Sequence, residues 1–360
     1  GDGSFIRDFE TVLSSTAVSN GAVASGDFDA DGILDLFVGG GTVPGRYPEE
    51  VSSNLWKGLN GGAFEWVENV SSQGRVVSAQ WEDLFNDGYP ELIVLREWAP
   101  PELWQNENGK LILAEDALGG SELSGLWSSM AVGDFDGDGR NDIAVGNLGW
   151  NNGGLWNASE GSRRLWWKPD TRRVRLLETH EVKGKEWPLV WWHRLKEAIP
   201  GRIAKAASYT QFASKTAGEL FGDLEEQEYQ SLELNEARSG VFWQVEEGRF
   251  AFRPLPIFGQ SGRIVSLLAE DIDGDGLSDL VASVEPPNVV PWTGRKEQGH
   301  LALFFGSTNR QLKEEPALKS GLDIGANSPR QLLWGDFDGD QSKELLVVMS
   351  EGDPQVFRVR

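Results

Sequence analysis

A short acidic pattern that returns along the whole chain constrains the fold more than any other feature. It reads GDFDADGILDLFVG from Gly26, GDFDGDGRNDIAVG from Gly133 and EDIDGDGLSDLVAS from Glu270. A fourth copy, GDFDGDQSKELLVV from Gly335, keeps most of the pattern, and EDLFNDGYPELIVL from Glu82 keeps the frame but loses some acids. The first aspartates are Asp27, Asp83, Asp134, Asp271 and Asp336, at spacings of 56, 51, 137 and 65 residues. Repeats of this length are supersecondary units that bury their apolar faces only by stacking on one another.

The flanks show what each unit is. Ala22-Val23-Ala24 and Met130-Ala131-Val132 precede the acidic run, and Leu34 to Val38 and Leu280 to Ala282 follow it, all reading as short strands. A second hairpin comes next: Asn54 to Lys57 with Phe64 to Val67, Glu102 to Trp104 with Leu111 to Leu113, and Val241 to Trp243 with Phe250 to Phe252. Four antiparallel strands with the acidic loop in the first hairpin make a β-propeller blade. The expected fold is therefore all-β, with residues 1–360 as a single propeller domain. Residues about 3–13 are expected to pair with the C-terminal blade, about 330–360, closing the ring and removing open sheet edges. The 137-residue spacing holds either three ordinary periods, for seven blades in all, or an insertion, for six; seven is favoured. Residues 192–222 place Ala, Lys and Leu at helical spacing and read as a short helical insertion.

The acids fall at loop positions 1, 3, 5 and 9, with Gly at 6. They are Asp27, Asp29, Asp31 and Asp35; Asp134, Asp136, Asp138 and Asp142; and Asp271, Asp273, Asp275 and Asp279. Alternate side chains at a strand end project to one side, so these carboxylates repel one another unless a cation sits among them. Oxygen donors in such number suit Ca²⁺, with the position-7 carbonyls of Ile33, Arg140 and Leu277 as further ligands. The fourth copy offers Asp336, Asp338, Asp340, Ser342 and Glu344 but has Gln341 in place of Gly. In the Glu82 copy Phe85 takes position 3, leaving Asp83, Asp87 and Glu91, and no full site is expected. An EF-hand is excluded, because position 12 is Val38, Val145 or Ala282 where a bidentate Glu is required. The ions are expected to be structural.

GDFDGDGRNDIAVG resembles the most typical form of the FG-GAP/VCBS repeat, which builds integrin α-subunit-like propellers. WEDLFNDGYPELIVLREWAP, AVGDFDGDGRNDIAVGNLGWNN and a late FRPLP segment further resemble bacterial VCBS-repeat proteins related to ASPIC/UnbV. The resemblance covers nearly the whole chain, most weakly from Gly154 to Ser239. It implies a propeller, commonly seven-bladed, with Ca²⁺ in the hairpin loops and an extracellular setting, and more loosely adhesion or ligand binding.

Composition narrows the function. A net charge of −23 repels phosphate backbones, which sets nucleic acid aside. No apolar run is long enough to span a membrane. The absence of cysteine excludes thiolate sites and disulfides, and points to a bacterial source for an exported protein. The start at Gly1, without Met or an apolar leader, reads as a processed piece of a larger chain or surface assembly. His180, His193 and His300 form no metal or catalytic spacing, and no GxSxG or HExxH motif occurs. Of the 16 tryptophans, Trp56, Trp104, Trp166 and Trp243 sit at strand positions that imply packing. Trp98, Trp150, Trp292 and the Trp191-Trp192 pair are candidates for exposed ligand contacts. The basic run Arg163, Arg164, Lys168, Arg172, Arg173 and Arg175 reads as a solvated strand edge or a docking patch for an acidic partner. The expectation is an extracellular or cell-surface calcium-binding propeller that holds a protein or glycan. A propeller-fold polysaccharide lyase or hydrolase, and an architectural subunit of a surface assembly, are the alternatives.

Overall fold

The computed structural model describes residues 19–49, 51–70, 74–119, 123–151, 156, 161–169, 176–189, 192, 195, 206, 208–286, 298–325 and 327–359. The first sheet runs β1 (Asn20–Gly26), β2 (Asp35–Gly40), β3 (Ser53–Gly58) and β4 (Phe64–Val70) in spatial order. The second repeats this plan with β5 (Val76–Glu82), β6 (Glu91–Ala99), β7 (Glu102–Asn106) and β8 (Leu111–Leu113), and β9 (Gly125–Leu126) pairs with the far end of β6. The third sheet starts with β10 (Ser129–Gly133) and β11 (Asp142–Gly146), and the chain then leaves it.

The excursion forms a sheet of its own. β12 (Arg163–Trp167), β13 (Leu176–Val182), β14 (Lys185–Pro188) and β15 (Gln230–Leu234) pair in the order β14-β13-β12-β15. Two short helices, α1 (Tyr209–Ala213) and α2 (Ala217–Phe221), come between β14 and β15. The chain then returns as β16 (Gly240–Glu246) and β17 (Arg249–Pro254) to complete the third sheet, β10-β11-β16-β17. The fourth sheet is β18 (Arg263–Glu270), β19 (Asp279–Glu285), β20 (His300–Phe305) and β21 (Lys313–Glu315). The fifth is β22 (Pro329–Gly335), β23 (Glu344–Met349) and β24 (Gln355–Arg358).

The arrangement is propeller-like. β1 lies against β5, β5 against β10, β10 against β18 and β18 against β22. Residues of β5, β10, β18 and β22, among them Ser78, Met130, Ser266 and Gln331, line one cavity of about 380 Å³ where the inner strands converge. Between neighbouring sheets lie separate buried clusters, such as Phe28, Phe37 and Leu55 against Trp81 and Leu92, or Phe135 and Trp243 against Leu280 and Phe304. Gly26 ends β1 where an added Cβ would stand 2.6 Å from the Trp81 ring, so close sheet-to-sheet packing requires glycine there.

Among the described residues five sheets follow the blade plan and a sixth, β14-β13-β12-β15, belongs to the excursion. The 137-residue spacing is set by an insertion between the second and third strands of one blade, not by three ordinary periods. Residues 192–222 fall inside that insertion, whose described elements include the four strands β12 to β15 and the helices α1 and α2. It has its own core, with Trp166 and Leu177 against Ala217, Leu220 and Phe221. A second cluster of Trp98, Trp156, Leu165 and Leu234 fixes it to β6 of the second sheet. The expected closure by residues about 3–13 lies outside the described residues. Among those described, no buried cluster joins the first and fifth sheets, and Phe337 is 46% exposed where its counterparts Phe28 and Phe135 are buried.

Candidate metal centres

Each acidic loop connects the first strand of a sheet to the second, and hydrogen bonds explain much of its sequence. In the β1–β2 loop the Asp27 carboxylate accepts from the backbone N–H of Asp31 (3.0 Å) and Gly32 (2.7 Å). Asp31 accepts from the N–H of Ile33 at 2.9 Å. Asp35 is fully buried and accepts from Phe28 N–H (2.9 Å) and from Gly58 N–H at the end of β3 (2.7 Å). Position 1 thus caps the turn, position 5 tightens it, and position 9 ties it to the third strand.

The position-1 and position-5 bonds, and the position-9 bond to the position-2 N–H, recur in every loop. Asp134 accepts from Gly139, Asp138 from Arg140, and Asp142 from Phe135 and Gln244. Asp271 accepts from Gly276, Asp275 from Leu277, and Asp279 from Ile272 and Gly306. Asp336 accepts from Gln341, Asp340 from Ser342, and Glu344 from Phe337. Position 6 is left-handed throughout, with φ of +86° at Gly32, +83° at Gly139 and +89° at Gly276. Gln341 is held at +73° in the fourth copy, a conformation that favours glycine.

The Glu82 copy separates loop shape from cation demand. Asp83 accepts from Asp87 and Gly88, Asp87 from Tyr89, and Glu91 from Leu84 and Asn106, so this loop keeps the shape with Phe85 at position 3. The loop thus keeps its shape without a position-3 aspartate, although Asp136, Asp273 and Asp338, where present, each accept the position-5 N–H. In the first loop the Asp29 Oδ1 is buried with no hydrogen-bond partner.

Four groups of carboxylates could hold a metal ion: Asp27, Asp29 and Asp35; Asp134, Asp136 and Asp142; Asp271, Asp273 and Asp279; and Asp336, Asp338 and Asp340. Within each group the oxygens lie within 4.8 Å of one another, a span that one cation with metal–oxygen distances of about 2.3–2.6 Å can bridge. Asp31, Asp138 and Asp275 stand at the loop rim outside these triads. Glu344 is not part of the fourth group; it is buried, with Phe337 N–H and the Arg358 guanidinium on its carboxylate. For Ile33, Arg140, Leu277 and Ser342 the structure gives the N–H partner, in each case the position-5 carboxylate.

Electrostatics mark the same residues. Burial pushes the Asp142 carboxyl up to about 7, and neighbouring Asp136 and Asp138 add to the rise. Burial likewise raises Asp35 and Asp279, again with loop aspartates contributing. Sequence reasoning missed the protein's own cations at these loops. Lys57 of β3 reaches Asp29 and, at 2.8 Å, Asp31. Arg310, from the turn after β20, crosses from the fourth sheet to Asp136 (2.8 Å) and Asp138 (3.0 Å) of the third. Arg358 of β24 pairs with Asp338. Among the described residues no basic side chain pairs with Asp271, Asp273 or Asp275. Lys57 precedes Gly58, the residue that binds Asp35, and that adjacency was the available signal.

The tryptophan candidates divide. Trp56, Trp166 and Trp243 are buried and Trp104 is partly buried. Trp98 is not an exposed contact, because it is 6% exposed. Its φ of +62° turns it inward at the end of β6, its Nε1 donates to the Tyr47 hydroxyl at 2.8 Å, and Arg163 covers its ring at 5.5 Å. Trp150 is 58% exposed, as expected. Trp192 packs on Tyr209 in the insertion core; Trp191 and Trp292 lie outside the described residues. Of the basic run, Arg163, Arg164 and Lys168 are paired with Glu178, Glu233 and Glu228, while Arg172, Arg173 and Arg175 lie outside the described residues.

A family model described as an FG-GAP-like repeat matches residues 83–145, from the second acidic loop through the third. Over that stretch the resemblance read from the loops is borne out. No curated protein matches the chain. Among solved structures, the V. cholerae biofilm matrix protein Bap1 aligns at 11% identity and a TM-score of 0.37, covering 96% of this chain and 70% of that one. The computationally designed Ika8 protein aligns at 9% identity and a TM-score of 0.33, covering 96% and 73%. Likenesses this distant carry nothing about activity.

Proposed function

We propose that this chain, part of which is an FG-GAP-like repeat, is a calcium-stabilised binding module that works outside the cell and holds a protein or glycan without turning it over. The observation that carries the reading is the position-3 aspartate. The loop folds without it in the second sheet, yet it is present in the other four copies, beside carboxylates whose charge burial penalises. A hard divalent cation accounts for that acid, and the donor set of carboxylates with loop carbonyls suits Ca²⁺ better than the smaller, strictly octahedral Mg²⁺.

Bound there, calcium would supply charge neutralisation and a rigid turn, not an activated water. The acidic loops also contact the next sheet: Asn106 Nδ2 donates to Phe28 O at 2.7 Å, and Ser307 N–H to Phe135 O at 2.9 Å. Stiffening a loop would therefore stiffen a sheet-to-sheet contact. Calorimetric melting with calcium against chelator tests this. One site adds about 2.7 kcal/mol when free calcium is a hundredfold above its dissociation constant. A melt that ignores calcium over that range rules the reading out. Incubation with acidic glycans should release no new chain ends.

A further inference from the structure

The chain carries −23, yet one cleft on the insertion is cationic. In the β13–β14 hairpin, His180 lies across from Trp187 and Val182 across from Lys185, so these four side chains share one face. Lys183 and Gly184 make the turn with φ of +52° and +71°, the left-handed pair of a tight type I′ hairpin. Lys183 stands exposed at its tip, in a conformation that lysine rarely adopts. Phe212, at the end of α1, and Lys215 beyond it complete a cleft of about 520 Å³. That volume falls in the range of about 300–1,000 Å³ found for small-ligand sites.

The three lysines are not held by ion pairs among the described residues, unlike Arg163, Arg164 and Lys168 on the same sheet. The charge of Lys215 and Lys185 does reach Glu219, but that carboxylate is engaged first by Thr216, whose N–H and hydroxyl it binds at the start of α2. The cleft therefore offers three cationic donors around flat aromatic surfaces.

We propose that this cleft binds an acidic polysaccharide, with its carboxylate or sulfate groups on Lys183, Lys185 and Lys215 and a sugar face on Trp187. The inference rests on the reading of the chain as a binding module, though not on calcium. An acidic peptide fits less well. β14 is the edge of its sheet, but it is four residues long and carries Lys185 and Pro188, both of which discourage strand addition. A duplex nucleic acid carries a charge every ~1.7 Å, which the acidic body of the molecule repels, whereas a uronate chain carries one per sugar ring.

Titration calorimetry at low salt, with an oligogalacturonate too short to gel with calcium, tests the proposal. Lys183→Glu with Lys185→Glu should weaken binding at least about tenfold without moving the melting temperature, and Trp187→Ala should weaken it several-fold. Added salt should weaken wild-type binding. The proposal is overturned if the wild type does not bind, if the charge-reversed protein binds equally, or if polyglutamate binds as tightly as the glycan. Melting the same samples with calcium and with chelator separates the two readings. A calcium-dependent melt without glycan binding sinks only the cleft, and glycan binding with a calcium-independent melt sinks only the calcium role.

Discussion

The Asp27 and Asp271 loops share a backbone shape, a capping aspartate and a buried tether, but they differ in what stands among their acids. Lys57 places an ammonium against Asp29 and Asp31 in the first, whereas no described basic side chain pairs with Asp271, Asp273 or Asp275 in the other. The third sheet is a further variant, since its loop's own Arg140 pairs with Asp138 while Arg310, borrowed from the next sheet, reaches Asp136 and Asp138. One sequence pattern thus encodes a need for positive charge without fixing its source. A lysine, a neighbouring arginine or a solvent ion can each meet it. The loops should accordingly depend on calcium to different degrees.

The largest effect should come from what the two loops have in common. Asp35→Ala strips the acceptor from two backbone N–H groups, Phe28 and Gly58, and Asp279→Ala from three, Ile272, Asp273 and Gly306. Each should cost about 3 kcal/mol in denaturant melts. Most of that loss should persist in chelator, because the tether acts whether or not an ion is bound. A loss that vanishes in chelator would make these residues ligands only.

The second sheet's loop, with no position-3 acid, sharpens the contrast through pH. Burial pushes Glu91 up to about 7, with Asp87 and Asp83 adding to the rise. The folded state then holds a proton that the unfolded chain releases near pH 4.5, so stability falls as pH rises between about 4.5 and 7. The loss at this group is on the order of 2–3 kcal/mol. Unfolding free energies at pH 5 and pH 8 should differ more for wild type than for Glu91→Gln, and equal differences would refute the assignment.

Asp271→Ala probes the loop without a described internal cation. It should lower stability by about 2 kcal/mol with calcium present and by less than about 1 in chelator, where only the caps to Gly274 and Gly276 are lost. Equal losses in both conditions would assign Asp271 a capping role alone.

Much of this was legible in advance because it is local. Period-2 strands, the Gly at position 6 and the alternating acids are each set within a few residues, so the hairpins and their loops followed from spacing. The Trp-bearing second hairpins were legible for the same reason. The rest depends on contacts distant in sequence. Arg310 lies 174 residues from Asp136 and becomes its partner only when the fourth sheet stacks on the third. Trp98 was a candidate for an exposed contact, and its burial involves Tyr47, from the loop after β2, and Arg163 from the insertion. The insertion was legible only as a helical stretch; its sheet was hidden because β12 to β15 carry no acidic loop to mark where the blade is interrupted.

Lys57→Met gives the smallest effect and the most direct test of the difference between the loops. The ammonium is partly exposed and its pairs are screened, so its removal with calcium present should barely move the melt. In chelator the same substitution leaves Asp29 and Asp31 facing each other without a cation, and the melting temperature should fall. The Lys57 ammonium is held above its usual range by hydrogen bonds to Asp29 and Asp31, so it stays charged at neutral pH. If the proposed calcium site is right, the ammonium would compete with the ion for the first loop at neutral pH. Calcium titration of the variant should therefore show tighter binding at one site, with the Asp271 site unchanged. If the binding isotherm is the same as wild type, the lysine is a bystander, and the two loops are alike after all.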